Sequence, residues 1–174
     1  MTKWMTGTVK TSWNDVSFKT LAYFKEPFND SSTKQAWDDT YGPIAETGHM
    51  VDFRSHQPDY AQDVADELGL EKAGTSFYRM EPGSILPYHS DTYARYCEYH
   101  IVEPTSVWRA VIFLEDWKPG HIFEIDGNLF DKWNKGDYVI WNYDVPHLAA
   151  NLGPDNRCTL QITRIFPIGP EHLQ

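Results

Sequence analysis

The feature that most limits the fold of this chain is a series of short β-rich runs that begins near Gly74. Turn-forming segments (EPGS, WKPG, IDGN and NKGD) separate the runs, and the Asp126-Gly127 step inside HIFEIDGNLF is a good hairpin signal. The predicted strands are TSFYRM, ILPYHSD, SVWRAVIFLE, HIFEI, GDYVIW and CTLQITRIF. Many short strands at this spacing predict an antiparallel sandwich or barrel.

The N-terminal part of the chain has a different pattern and is predicted to be mostly helical. Helices are predicted over Thr33 to Glu46 and over Pro58 to Leu68, where Gly69 is a natural stop. They are expected to cover one outer face of the β structure. No repeat or linker divides the 174 residues. We therefore expect a single domain over 1–174, with helical support over 1–73 and a β core over 74–168.

Charge and composition limit the partners of the chain. The formal net charge of -10 and the pI near 5.0 would repel a phosphate backbone, so we expect no nucleic-acid partner. The opening stretch MTKWMTGTVKTSW has no apolar signal region, and no apolar run approaches the ~18 residues that cross a bilayer. A cytoplasmic protein without a membrane partner is expected, and Cys97 and Cys158 are expected to be reduced thiols.

The stretch PYHSDTY contains a candidate pair of metal ligands, His89 and Asp91. Side chains two residues apart lie on the same side of a strand, so this pair can point together into the mouth of a barrel. A facial iron site needs two neutral imidazoles and one carboxylate, and the third ligand would be a distant histidine. Alone the pair is a weak signal, because a solvated polar strand edge explains it equally well.

The downstream stretch KGDYVIWNYDVPHLAANLGPDNRCTLQIT strengthens the metal-site interpretation. It predicts a strand over Tyr138 to Trp141, a loop that carries His147 and, ten residues later, a strand that begins at Arg157. On that strand Thr159 and Gln161 share a face with Arg157. Arg164 is the alternative arginine on this strand, but an odd separation of seven residues from Arg157 places it on the opposite face.

The combination of H-x-D, a distal histidine and an arginine ten positions later resembles the iron(II)- and 2-oxoglutarate-dependent oxygenases. Among them, it most resembles the short aspartyl/asparaginyl β-hydroxylase-like members and the small stand-alone members found in bacteria and phages, and the resemblance covers residues 75–166. It implies a mainly β fold with flanking helices, the double-stranded β-helix or cupin-like jelly roll. It also implies a dioxygenase that hydroxylates a C–H bond of an amino-acid-like or peptidyl substrate and releases succinate and CO2.

The resemblance assigns roles to particular residues. His89, Asp91 and His147 would bind iron(II), and Arg157 with Thr159 would bind the distal carboxylate of 2-oxoglutarate, with O2 as the second cosubstrate. A guanidinium suits this task because its planar fork matches a carboxylate and keeps its charge. Further residues placed by the resemblance are Tyr78, eleven positions before His89, near the same carboxylate; Arg109, near cosubstrate or substrate; and Tyr93 and Arg95, at the substrate opening.

Several alternatives stay open at this point. The β-hydroxylases often have glycine two positions after the first histidine, whereas Asp91 here completes the triad and disfavours halogenation, which needs an open ligand position. A non-catalytic cupin-like protein that binds a metal or small ligand is the main rival, and a three-histidine cupin enzyme is another. His121 is interpreted as structural or surface, and the following are interpreted as packing rings: Trp108, Trp117, Trp133 and Trp141.

Overall fold

The computed structural model describes residues 3–27, 31–43, 47–52, 54–70 and 73–165. The strands are β1 (Trp4–Thr8), β2 (Phe24–Lys25), β3 (His49–Asp52), β4 (Gly74–Met80), β5 (Ile85–His89), β6 (Val107–Phe113), β7 (His121–Ile125), β8 (Asn128–Phe130), β9 (Asp137–Asn142), β10 (His147–Asn151) and β11 (Arg157–Ile165). The helices are α1 (Asp15–Lys19), α2 (Ser31–Tyr41), α3 (Tyr60–Glu67) and α4 (Ala94–His100).

The strands form two antiparallel sheets. The large sheet has the order β1-β9-β6-β11-β4-β3-β2, and the small sheet has the order β5-β10-β7-β8. From β4 onward the chain passes back and forth between the sheets, with β4, β6, β9 and β11 in the large one and β5, the β7–β8 hairpin and β10 in the small one. This alternation is the topology of a double-stranded β-helix, so the predicted fold class is confirmed.

The N-terminal region contributes strands as well as helices, which the sequence did not predict. β1 pairs with β9 along its whole length, and β3 pairs with β4, so the large sheet is extended at both edges. β2 adds only Phe24–Lys25 beside β3. A strand of two residues is too short to show the period-two pattern by which strands are predicted.

The predicted helices are present but shorter than expected. α2 begins two residues before Thr33 and ends at Tyr41, where Gly42 has a φ of +80° that suits a residue just past a helix end. The rest of that prediction, residues 44–46, lies outside the described residues. α3 lies inside the range predicted from Pro58, and Gly69 follows it with a φ of +67°.

The outer face of the large sheet is covered by α1 and α3. Phe18 of α1 and Val64 of α3 are fully buried in one apolar cluster with Phe77, Leu160 and Ile162 of the sheet. The expectation of a helix on one outer face is confirmed for α3, whereas α1 was not predicted. The expectation is wrong for α2. The ring of its Trp37 lies 4.9 Å from the ring of His89 in the small sheet, so α2 is not on the outer face of the large sheet.

The space between the sheets holds a second cluster that is rich in aromatic rings. Phe113 stacks on Trp133 at 4.0 Å, and Phe123 lies 5.8 Å from Trp141. Trp117 packs against the same cluster, whereas Trp108 belongs to the outer one. The interpretation of these four tryptophans as packing rings is confirmed, with the addition that Trp141 also lines a cavity.

The β7–β8 hairpin is built as its sequence predicts. Asp126 and Gly127 have φ values of 50° and +76°, the left-handed conformation at both central residues of a tight hairpin turn. Cys97 and Cys158 are free thiols. None of the helices in the described ranges has the length and apolar character needed to cross a membrane.

Candidate active site

A cavity of about 190 Å³ lies between the two sheets. Its wall contains the complete H-x-D and distal-histidine pattern and also the four residues to which the resemblance assigns a role near the cosubstrate. These four are Tyr78, Arg109, Arg157 and Thr159. The fold therefore brings together side chains that are widely separated in the sequence.

His89, Asp91 and His147 form a group in which one potential ligand atom from each residue lies within 4.8 Å of the others. Asp91 Oδ1 lies 3.9 Å from His89 Nε2, and Asp91 Oδ2 lies 3.7 Å from His147 Nε2. The centroids of the two imidazoles are 4.5 Å apart. This group has the composition of a mononuclear site with two imidazoles and one carboxylate.

Strand pairing places the two imidazoles opposite each other. His89 is the last residue of β5, and His147 pairs directly with it as the first residue of β10. The prediction that a loop carries His147 is wrong, because its backbone pairs with both His89 and Ile125. Asp91 lies two residues beyond the end of β5, so strand alternation does not position its carboxylate.

The backbone selects the tautomer of both histidines. His89 Nδ1 lies 2.6 Å from the Pro87 carbonyl oxygen, and His147 Nδ1 lies 3.0 Å from that of Val145. A carbonyl only accepts, so each Nδ1 donates and each neutral ring keeps its lone pair on Nε2, the atom that faces Asp91. Burial lowers the pKa of His147 to about 4, so this ring is neutral at pH 7.

Asp91 is kept ionised by its neighbours. Burial alone would raise its pKa, but the charge of Arg109 and the nearby His147 and His89 outweigh burial and hold the pKa at about 2. Arg109 Nε lies 3.3 Å from Asp91 Oδ2, and Arg109 Nη1 donates to Gln161 Oε1 at 3.0 Å. Two imidazole nitrogen atoms beside a carboxylate fit a divalent transition metal such as iron(II).

Arg157 is a buried cation without a carboxylate partner among the described residues. Its side chain is surrounded by the rings of Phe113, Phe123 and Trp133, at 5.6, 5.8 and 5.5 Å from the guanidinium carbon. Nη1 donates only to the sulfur of Met80, while Nε and Nη2 have no hydrogen-bond partner. Burial lowers the pKa of Arg157 to about 10, so it remains charged at pH 7 and can bind an anion.

Thr159 and Tyr78 lie beside each other in the cavity wall, where β11 pairs with β4. Thr159 is buried two residues after Arg157 and lines the same cavity. The hydroxyl of Tyr78 donates to Glu26 Oε2 at 2.7 Å and accepts from the Gly48 N–H at 2.8 Å. The hydroxyl hydrogen of Tyr78 is therefore already directed to a carboxylate of the protein.

Arg164 lies away from the cavity, as its odd spacing from Arg157 predicts. Its Nη1 donates to the carbonyl of Gly69, which follows α3 on the outer side of the large sheet. His121 is buried, and its Nε2 lies 3.0 Å from the Asp155 carbonyl oxygen, so its interpretation as a structural residue is confirmed.

Of the two residues predicted at the substrate opening, Tyr93 has a different position. Tyr93 is buried, does not belong to the cavity wall, and lies under the Arg109 guanidinium at 5.1 Å from its ring centroid. It occupies the left-handed region with a φ of 51°, immediately before α4. Its contacts support Arg109 instead of facing the cavity. The side chain of Arg95 lies outside the part of the chain that the structure describes.

Several residues of the cavity wall had no signal in the sequence, among them Glu26 and Trp37. Glu26 follows the two-residue strand β2, and Trp37 belongs to α2. Both precede the region of the motifs, and a single glutamate beside a short edge strand has no spacing pattern. Only the three-dimensional pairing of β2 with β3 brings Glu26 to the cavity.

The sequence matches no family model and no curated protein, but solved structures share the fold. A prolyl-4-hydroxylase from Pseudomonas putida matches with a TM-score of 0.57 and 16% identity over 94% of this chain and 93% of that one. SnoK, a non-heme alpha ketoglutarate dependent carbocyclase from nogalamycin biosynthesis, has a TM-score of 0.55 and 11% identity over 92% and 78%. At these identities the similarity shows the fold alone, the double-stranded β-helix.

Proposed function

We propose that the protein is an iron(II)- and 2-oxoglutarate-dependent dioxygenase that hydroxylates a C–H bond of an amino-acid-like or peptidyl substrate. The observation that carries this proposal is Arg157, a buried guanidinium with two unpartnered nitrogen atoms in the same cavity as the His89, Asp91 and His147 group. A buried charge without a partner is costly, which is evidence for a bound anion beside a metal.

His89 and His147 would hold iron(II) through Nε2, and Asp91 through a carboxylate oxygen. When bound, iron(II) with O2 and 2-oxoglutarate supplies the oxidation: one oxygen atom enters the substrate C–H bond, and the other enters succinate as CO2 leaves. Arg109 keeps the Asp91 carboxylate charged and oriented by its contact at 3.3 Å. Such a neighbour of a metal ligand affects metal affinity without touching the metal.

Arg157 and Thr159 would bind the distal carboxylate of 2-oxoglutarate. The three aromatic rings around the guanidinium exclude water, which strengthens an ion pair formed there. Tyr78 would contribute less directly than its position in the sequence suggests, because its hydroxyl hydrogen is used by Glu26. The P. putida and SnoK structures support the proposal because their names describe a hydroxylase and an alpha ketoglutarate dependent enzyme on the same fold.

The test is an anaerobic titration of the protein with iron(II) and then with 2-oxoglutarate, followed by visible absorption. The expected result is the weak charge-transfer band of the chelated cosubstrate in the wild type and its loss in Arg157→Met. Arg164→Met is the matched control, because it removes an arginine from the opposite face of the same strand and should keep the band. Stoichiometric iron binding without a band in the wild type would favour the non-catalytic cupin-like alternative.

A further inference from the structure

Glu26 is a second carboxylate in the cavity, and the proposed reaction gives it no role. It follows β2 and lines the same cavity as His89 and Asp91. It is close enough for Arg109, Asp91 and His89 to influence its ionisation. Its charge therefore acts on any ligand that enters beside the metal ligands.

The position of Glu26 is fixed by hydrogen bonds. Its backbone N–H donates to the Gly48 carbonyl at 3.0 Å, its own carbonyl accepts from Thr47 Oγ1 at 2.6 Å, and its Oε2 accepts from Tyr78. Gly48 is needed for this arrangement, because a Cβ there would lie 2.7 Å from the Tyr78 ring and 2.6 Å from the Arg79 carbonyl oxygen. The carboxylate is thus preorganised before any ligand binds.

Glu26 has no cationic partner within the described part of the chain. Arg109, the nearby cation, is already paired with Asp91 and Gln161. The ammonium of Lys25 donates to the Thr47 carbonyl at 2.5 Å. Burial raises the pKa of Glu26, and the Tyr78 hydroxyl offsets this only in part. A cationic ligand group would reduce the cost of keeping this carboxylate charged.

We infer that Glu26 determines substrate specificity by binding a protonated amine, so that the substrate of the proposed dioxygenase is an amine-bearing amino acid or peptide. The inference rests on the proposed function, because it assumes a substrate that enters beside the metal site. Arg157 and Glu26 then recognise different molecules. The Arg157 guanidinium binds the carboxylate of the cosubstrate, and the Glu26 carboxylate binds the protonated amine of the substrate. The net charge of -10 also attracts cationic ligands to the molecule.

The inference is tested by calorimetric titration of the protein loaded with redox-inert zinc(II) and 2-oxoglutarate. The probes are L-lysine, L-leucine, Nα-acetyl-L-lysine amide and Nα-acetyl-L-leucine amide, which carry both amines, only the α-amine, only the side-chain amine, and none. The wild type is expected to bind at least one amine-bearing probe about tenfold or more tightly than the fully blocked leucine derivative. The pattern among the probes identifies which amine is bound.

Glu26→Gln keeps the shape of the side chain and removes its charge, so it should abolish the preference for amines while zinc and 2-oxoglutarate bind as before. The matched control is Glu98→Gln at an exposed position of α4, which also removes one negative charge and should keep the preference. Glu26→Asp, which withdraws the carboxylate by one methylene, gives a second measurement. It should lower the affinity for the amine-bearing probes and leave the affinity for the fully blocked probe unchanged.

Two results would overturn the inference and leave the proposed function intact. One is normal 2-oxoglutarate binding in a wild type that shows no preference for any amine. The other is an amine preference that survives unchanged in Glu26→Gln. A wild type that binds zinc but no 2-oxoglutarate would instead remove the proposed function, and the inference with it, so the two failures are distinguishable.

Discussion

The two faces of strand β11 differ in how completely their side chains are satisfied. On the outer face, Cys158, Leu160 and Ile162 lie in the apolar cluster that α1 and α3 cover. On the inner face, Arg157 and Thr159 line the cavity, and the guanidinium of Arg157 keeps two unpartnered nitrogen atoms. Adjacent residues of one strand thus pack in the apolar cluster on one side and line the cavity on the other.

The neighbouring strands show the same division. In β6, Ala110 and Ile112 belong to the outer cluster, while Arg109 and Val111 alternate with them along the strand and line the cavity. In β4, Phe77 is fully buried in the outer cluster, and the next residue, Tyr78, lines the cavity. The alternation of side chains along each strand therefore places packed residues on the outer face and cavity-lining residues on the inner face across much of the large sheet.

The largest effect is expected from the outer face. Phe77 is 0% exposed in the outer cluster, so Phe77→Ala should lower the free energy of unfolding by about 3–5 kcal/mol through lost burial and a residual cavity. Urea denaturation measures this change. Leu129→Ala is the control, because Leu129 is 59% exposed in β8 and its loss should cost less than about 0.5 kcal/mol. Equal effects of the two substitutions would contradict the packing role assigned to the outer face.

On the inner face, binding and stability should separate. Arg157→Met should lower the affinity for 2-oxoglutarate by about 100-fold or more, because the charge-assisted hydrogen bonds to the carboxylate of 2-oxoglutarate are lost. The free energy of unfolding should stay the same or rise, because the variant no longer buries an unpaired charge. Calorimetry and urea denaturation on the same preparations measure the two quantities. If the variant loses stability but keeps its affinity for 2-oxoglutarate, Arg157 serves stability and not binding, which would contradict this prediction.

Much of this division was predictable from the chain itself. The β-rich runs after Gly74 predicted six of the strands, namely β4, β5, β6, β7, β9 and β11. The even spacing of Arg157, Thr159 and Gln161 predicted their shared face. The resemblance that rests on His89, Asp91 and His147 predicted a ligand group, and the structure brings these three residues together. Local periodicity and short motifs are strong signals in this part of the chain.

The remainder depends on contacts between distant segments, which periodicity does not encode. Asp91 lies beyond the end of β5 and is oriented by Arg109 of another strand, so its placement does not follow from the alternation that suggested it. Glu26 reaches the cavity through the two-residue strand β2 and its pairing with β3. The covering role expected of α2 failed because a helix pattern indicates an apolar face but not the surface that it contacts.

The support of Asp91 by Arg109 gives an intermediate effect on the inner face. Arg109→Gln removes the charge that orients the carboxylate, so the affinity for zinc(II) or iron(II) should fall by about 10- to 100-fold. Arg79→Gln is the matched control, because Arg79 is its counterpart on the outer face, with its guanidinium over the Tyr23 ring at 4.4 Å. Competition with a metal-chelating dye measures both affinities. A loss of the same size in Arg79→Gln would indicate a general charge effect instead of support for Asp91.

The smallest effect concerns His121 of β7, in the small sheet. It is 3% exposed; burial and, to a smaller extent, the charge of Arg157 lower its pKa below the ordinary value of 6.5. The unfolded chain therefore binds a proton before the folded protein does, and the contribution of the neutral ring to stability is lost as the pH falls through 6.5 toward the folded pKa.

Urea denaturation across this pH range should show a stability that falls more steeply in the wild type than in His121→Gln, whose amide can still donate to the Asp155 carbonyl. In Arg157→Met the decline should be shallower than in the wild type, because the nearby positive charge is gone. Parallel curves for the wild type and His121→Gln would mean that the ring titrates as an exposed histidine does. Burial and the charge of Arg157 would then have no measurable effect on the pKa of His121 in the small sheet.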